Sequence, residues 1–208
     1  MSRQKMHNEI LTKEQVALLP LLKIFSNNFR LVGGTAIALH IGHRRSIDFD
    51  LFSFKSFGNR ALRRKIENFA KIDQVIVDRA GEFTFLCNGV KLTFYHYFFD
   101  IEYKENFDNI INMPDLLILA AMKAHALGGR AKWKDCVDLF FIIKNFHKVA
   151  EITKKAKYLF QGEFNEKLFR IQLSYFDDIN YTEQVEFLPG FEVSEKKIKK
   201  ALIEFGLS

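Results

Sequence analysis

Cysteine, proline and tryptophan are scarce in this chain, and long apolar runs are missing. Of 208 residues, two are Cys, three Pro and one Trp. Cys87 and Cys136 lie far apart, each inside an apolar pattern and without metal-ligand spacing, so they read as buried, reduced thiols. So little Pro, with 11 Gly, excludes collagen-like repeats and argues against disorder. The longest apolar stretches, LLILAAM and LFFII, are bounded by Asp115, Lys123, Asp138 and Lys144. A membrane-spanning helix needs about 20 apolar residues, so neither qualifies. The opening MSRQKMHNEILTKEQ has no sustained apolar segment after its basic residues and is not a secretory signal. The expectation is a soluble, cytoplasmic protein with no membrane partner.

What the chain does have is a large apolar fraction, 48%, with 23 Phe dominating the aromatics. That is ample for a buried core, in one domain or in a compact core with an appended helical half. The formal net charge is +6, which favours polyanionic partners such as nucleic acid or nucleotide phosphates. Lysines that merely solvate a surface give the same total.

The most informative stretch is LVGGTAIALHIGHRRSIDFDLF, residues 31–52. A short strand, Phe29 to Val32, runs into Gly33 and Gly34 and then into a helix of small and aliphatic residues. Glycines there let the backbone turn sharply and approach a ligand closely. A helix opening at that turn aims unpaired N–H groups and the positive end of its dipole at the same place. After a basic turn at His43 to Arg45 comes a second strand, in which alternation puts Ser46, Asp48 and Asp50 on one face and Ile47, Phe49 and Leu51 on the core face. Two neighbouring carboxylates repel unless a positive charge lies between them. All-oxygen ligands suit Mg²⁺, with Mn²⁺ as the substitute. Asp48 and Asp50 are therefore the candidate metal ligands.

Along the chain, Thr12 and Gln15 form a capping box ahead of a helix that Pro20 kinks or splits. Residues 56–69 read as a helix whose outer face carries Arg60, Arg63, Arg64 and Lys65, either a solvated face or a phosphate-facing patch beside the metal site. QVIVDRA, EFTFLCNGV and KLTFYHYFF read as three strands, with Asn88-Gly89 as a hairpin turn. Helices alone are expected afterwards. Pro114 falls in the first turn of one that stops at Gly128-Gly129, and Ala131 opens the next, running to about Phe146. In that second helix Lys134 and Asp138 are spaced to pair along one face, as ordinary surface ion pairs do. The histidines show no paired metal-ligand spacing.

GG-T-A-x-A-L followed by H-R-x-S-x-D-F-D-L-F resembles the opening of the DNA polymerase β-type nucleotidyltransferases. Within that superfamily it looks most like the AbiEii-type proteins, whose characterised members are toxins of bacterial toxin–antitoxin and phage-abortive systems. MKAHALGGRAKWKDCVDLFF, residues 122–141, resembles the family's second block. The resemblance implies an α/β (α+β) fold, a small mixed sheet flanked by helices in residues 1–108 and a helical region in 109–208. It implies Mg²⁺-dependent transfer of a nucleoside monophosphate from an NTP to RNA, especially tRNA, or to a protein hydroxyl, in a toxin held by a cognate antitoxin. Asp48 and Asp50 then hold the metal, Gly33, Gly34 and Thr35 cradle the triphosphate, and Ser46 adds a hydrogen bond. Arg44 orders the site or meets phosphate. Lys123 contacts phosphates, with Arg130 beside it, and Lys134-Asp135 closes the nucleotide pocket, which makes Lys123 and Asp135 catalytic candidates.

One departure matters. Polymerase β-type catalysis uses a third carboxylate on a later strand, and here that strand reads VKLTFYHYFFD, with Thr93 or a neighbour in its place. The alternatives are a catalytically weak nucleotide- or RNA-binding module of the same fold, or an antibiotic-modifying nucleotidyltransferase with a small acceptor pocket.

Overall fold

In the computed structural model, which describes residues 6–127, 129 and 132–208, the chain divides into two compact units. The first comprises 1–42 and 46–114; the second comprises His43–Arg45 and 115–208. Three residues of the most informative stretch thus belong to the second unit.

The first unit opens with α1, Lys13–Phe25, whose N-terminus carries the expected capping box: Thr12 and Gln15 exchange backbone and side-chain hydrogen bonds. Pro20 lies inside α1 without splitting it. The strand β1, Arg30–Val32, leads directly into α2, Gly33–Ile41, and Gly42 closes α2 in the left-handed conformation at φ +75°. Then follow β2, Asp48–Ser53, α3, Asn59–Glu67, and the strands β3, Gln74–Arg79, β4, Glu82–Cys87, and β5, Val90–His96. At the β4–β5 turn Asn88 and Gly89 both have positive φ, the geometry that makes Asn-Gly a hairpin signal.

The sheet is mixed, in the order β1-β2-β5-β4-β3, with β2 and β5 parallel and the other pairs antiparallel. Its core face is largely phenylalanine. Phe94 of β5 sits 5.1 Å from Phe25, 4.9 Å from Phe29 and 6.1 Å from Phe85, ring centre to ring centre. A further hairpin follows, β6, Glu105–Phe107, with β7, Ile111–Met113. The sequence led to helices alone after β5, and this hairpin corrects that expectation; strands of three residues carry too little alternation to be read. Ile47 is a second correction. It precedes β2 and is 52% exposed, because the alternation that buries Phe49 and Leu51 begins at Asp48.

The second unit contains α4, Leu116–Leu127, α5, Trp133–Asn145, α6, Val149–Phe160, α7, Glu166–Ser174, and α8, Glu195–Leu207. Pro114 stands before α4 and not in its first turn; Asp115 caps it, accepting from the Ile118 N–H. Gly128 and Ala131 lie outside the described residues. α4 packs against α5, α6 and α7, and α8 against α5 and α7. Residues of the α7–α8 connection pair with the basic turn: Arg45 N–H donates to the Glu186 carbonyl, and Leu188 N–H to that of His43. Among the described residues no helix is long and apolar enough to cross a membrane.

Candidate active site

Gly33 begins α2 with φ +72°, and a Cβ built on it would lie 2.2 Å from Asp50 Oδ2. Glycine, which has no Cβ, fits both the conformation and the space; an L-residue would be strained in one and clash in the other. The carboxylate of Asp50 therefore rests against the backbone at the start of a helix that has no side-chain cap. Asp48 and Asp50 share the half-buried face of β2, while Phe49 and Leu51 are fully buried on the other. Thr35, in the first turn of α2, donates to the Asp48 carbonyl and lies 2.9 Å from Ser46 Oγ. Both hydroxyls are buried, so they tie α2 to the entrance of β2. From α1, Gln15 Nε2 donates to the Ser46 carbonyl across 2.8 Å. Ser46 precedes β2 and is not one of its alternating residues.

The β2–β5 register sets the rest of this face. Asp48 lies opposite Lys91 and Asp50 opposite Thr93. Lys91 Nζ is 2.7 Å from Asp48 Oδ2, and Thr93 Oγ1 is 3.4 Å from Thr84 Oγ1. Among the described residues no group of three or more His, Cys, Asp or Glu could hold a metal ion by itself. Asp48 and Asp50 do suit Mg²⁺ that arrives with a nucleotide. That ion keeps much of its water and is usually held by one or two carboxylates together with substrate phosphates. The Asp50 carboxylate itself is seated beside the main-chain N–H groups that open α2.

The second unit holds a separate, buried set of charges. Arg44 Nε and Nη2 donate to Asp138 Oδ1 and Oδ2 at 2.7 and 2.9 Å, and Nη1 donates to the Arg45 carbonyl. His43 Nε2 lies 2.8 Å from Asp138 Oδ1, and Lys123 Nζ 3.1 Å from Oδ2. Lys123 also donates to Asp135. Asp138 thus has four donors, as many as a carboxylate has lone-pair positions. Burial opposes its charge, but Arg44, then Lys123, outweigh it and hold its pKa well below the usual range. For Arg44 and Lys123, burial likewise works against the charged form; the aspartates win and raise both pKa values. His43 goes the other way, lowered chiefly by burial. Its Nδ1 is buried without a hydrogen-bond partner among the described residues, which suits a lone pair and not a second N–H.

The expected Lys134–Asp138 surface pair does not form. Asp138 is fully buried, and Lys134 instead joins Lys132 on Glu183, at 3.2 and 2.7 Å. The Lys132 hydrogen bond is the main cause of a Glu183 pKa lowered to about 2. Arg130 lies outside the described residues. Sequence reasoning did not single out Asp138 or Lys91 as site residues. The H-R pair with a buried partner Asp leaves no local signal, and Lys91 needs the β2–β5 register.

Comparison with known proteins agrees with the fold. An uncharacterized protein of Aquifex aeolicus strain VF5 is 29% identical over 184 residues, covering 86% of this chain and 88% of that one. The crystal structure of a putative nucleotidyltransferase from H. pylori superposes with a TM-score of 0.62 at 14% identity, over 93% of this chain and 92% of that one. MenT4, a nucleotidyltransferase toxin of Mycobacterium tuberculosis, gives 0.62 at 12% identity, over 93% and 81%. Residues 21–202 match the family described as nucleotidyl transferase AbiEii toxin of type IV toxin–antitoxin systems. The match spans most of both units, and on it the chain belongs to the AbiEii nucleotidyltransferase family.

Proposed function

We propose that this protein is a Mg²⁺-dependent nucleotidyltransferase that moves a nucleoside monophosphate from an NTP to an RNA, especially tRNA, or to a protein hydroxyl. We further propose that it acts as the toxin of a toxin–antitoxin pair. The observation that carries the reading is the seat of Asp50 on Gly33, with Asp48 on the same strand face. Two hard oxygen donors near the positive end of a helix suit a metal-bound triphosphate, which supports the reading. Family membership supports the reaction class.

In this reaction the acceptor oxygen bonds to the α-phosphorus. The bond to the bridging oxygen breaks, pyrophosphate leaves with that electron pair, and the hydroxyl proton passes to water. Magnesium, when bound, neutralises phosphate charge and holds its oxygens in line. Asp48 and Asp50 hold it, Gly33 and Gly34 leave room for the phosphates, and Thr35 and Ser46 fix the strand that carries the carboxylates. Arg44 has the ordering role, since its donors are engaged by Asp138 and Arg45. Lys123, already shared by Asp135 and Asp138, meets a phosphate only by exchanging a carboxylate for it.

The second reading, a weak nucleotide- or RNA-binding module, is favoured by Thr93 standing opposite Asp50 where a third carboxylate would serve. Incubation with Mg²⁺, each α-labelled NTP and a pool of tRNA and protein separates the two. Label retained on a macromolecule, and lost in Asp48→Asn, establishes transfer. Metal-dependent nucleotide binding with no transfer from any NTP would instead establish the binding module.

A further inference from the structure

We propose that the carboxylate pair of β2 takes a single divalent cation, and that the Lys91 ammonium stands in for a second. The inference rests on the nucleotidyltransferase reading and deepens it. A two-metal site holds its ions about 3.5–4 Å apart and needs carboxylates shared between them. On this sheet face the register decides what is available. Residues directly opposite on neighbouring strands share a face, so Asp48 has Lys91 beside it and Asp50 has Thr93.

Lys91 is more than a neighbour. Its Nζ lies 2.7 Å from Asp48 Oδ2, with Asp48 27% and Lys91 34% exposed. The ammonium thus takes one side of the carboxylate that a bridging ligand would have to offer to a second ion. Thr93 brings a neutral hydroxyl, 3.4 Å from Thr84 Oγ1. A second ion would be crowded against a fixed cation, and among the described residues no third carboxylate joins the pair to hold it. A chance cross-strand ion pair would have the same geometry but no effect on how many ions bind. That difference is measurable.

The test counts bound Mn²⁺ by electron paramagnetic resonance on the full chain with α,β-methylene analogues of the four NTPs. Nucleotide-dependent binding of one Mn²⁺ per chain, without Mn–Mn coupling, is expected for the wild type and for Lys91→Arg. Thr93→Asp, which adds a carboxylate and keeps the ammonium, is expected to stay at one ion, whereas Lys91→Met combined with Thr93→Asp is expected to bind two coupled ions. Two coupled ions in the wild type would overturn the inference and leave the transferase reading intact. So would two coupled ions in Thr93→Asp alone, or a single ion in the double variant. If no Mn²⁺ bound in a manner sensitive to Asp48→Asn, the carboxylate site itself would fall, and the inference with it.

Discussion

Arg44 grips Asp138 through two parallel hydrogen bonds, although 94 positions separate them in the chain. Both side chains are almost completely buried, and Lys123, Asp135 and His43 complete the group. Among the described residues the group holds two cations, Arg44 and Lys123, and two anions, Asp135 and Asp138, with His43 neutral. Removing one member of a buried ion pair leaves the other uncompensated, which costs about 3–5 kcal/mol. Asp138→Asn should lose stability on that scale in urea unfolding. Lys134→Ala removes only a contact to half-exposed Glu183 and should change stability by about 1 kcal/mol or less. Equal effects in the two variants would contradict the buried network.

His43 gives the network a pH dependence. Its pKa is lowered by burial, while the unfolded chain has an ordinary histidine near 6.5. Above about pH 6.5 neither state is protonated there, and the residue adds no slope. Below that, the unfolded state takes up a proton that the folded state refuses, so stability falls as pH falls, by at most about 1.4 kcal/mol per pH unit. The slope ends once the folded-state pKa is passed. His125 is also lowered by burial and contributes in the same direction. His43→Gln should flatten the stability curve just below pH 6.5 relative to the wild type. Asp138 acts lower: its depressed pKa gives stability that is complete above the ordinary carboxylate range and lost as pH falls through the folded value.

Why this network escaped the sequence is a matter of what spacing encodes. An i, i+4 interval shows that Lys134 and Asp138 share a helix face; it does not show that Asp138 faces inward. Nearly all of α5 from Trp133 to Ile142 is buried, so its two aspartates had to find partners elsewhere. Local chemistry was legible where it is self-contained. Thr12 and Gln15 cap α1, Asn88-Gly89 turns the β4–β5 hairpin, and the paired glycines open α2. The face shared by Asp48 and Asp50 was also legible, because alternation along one strand is enough. What Lys91 and Thr93 do was not. It depends on β5 lying parallel to β2 in one register, a long-range pairing that neither strand announces. The β6–β7 hairpin was missed because its strands are too short to show a period.

Gly33 offers a test of the close seat of Asp50. With φ +72° and only 2.2 Å between an added methyl and Asp50 Oδ2, Gly33→Ala must strain the backbone and push the carboxylate away. The expected cost is about 1–3 kcal/mol for the conformation, accompanied by loss of nucleotide-dependent Mn²⁺ binding. Gly58 is the control. It precedes α3 in extended conformation with nothing within 4 Å of a built Cβ. Gly58→Ser should leave both stability and binding intact, since serine favours that capping position. If Gly33→Ala kept full Mn²⁺ binding, the Gly33–Asp50 contact would have no part in the site.

Asp48→Asn separates chemistry from folding most cleanly. The residue is 27% exposed and its partner Lys91 34%. Pairs of this kind contribute at most about 1 kcal/mol, and removing one of two adjacent carboxylates also relieves repulsion. Stability should therefore stay within about 1 kcal/mol of the wild type. Transfer from the labelled NTP should fall by at least about 10²-fold, the scale of losing one group that stabilises transition-state charge. A loss of both together would mean that the carboxylate mainly holds the sheet. Retained transfer at unchanged stability would remove Asp48 from the reaction and leave Asp50 to be tested alone. Stable protein with transfer lost is the outcome expected of a site whose framework, from Gln15 to Thr35, is built without the carboxylate side chain.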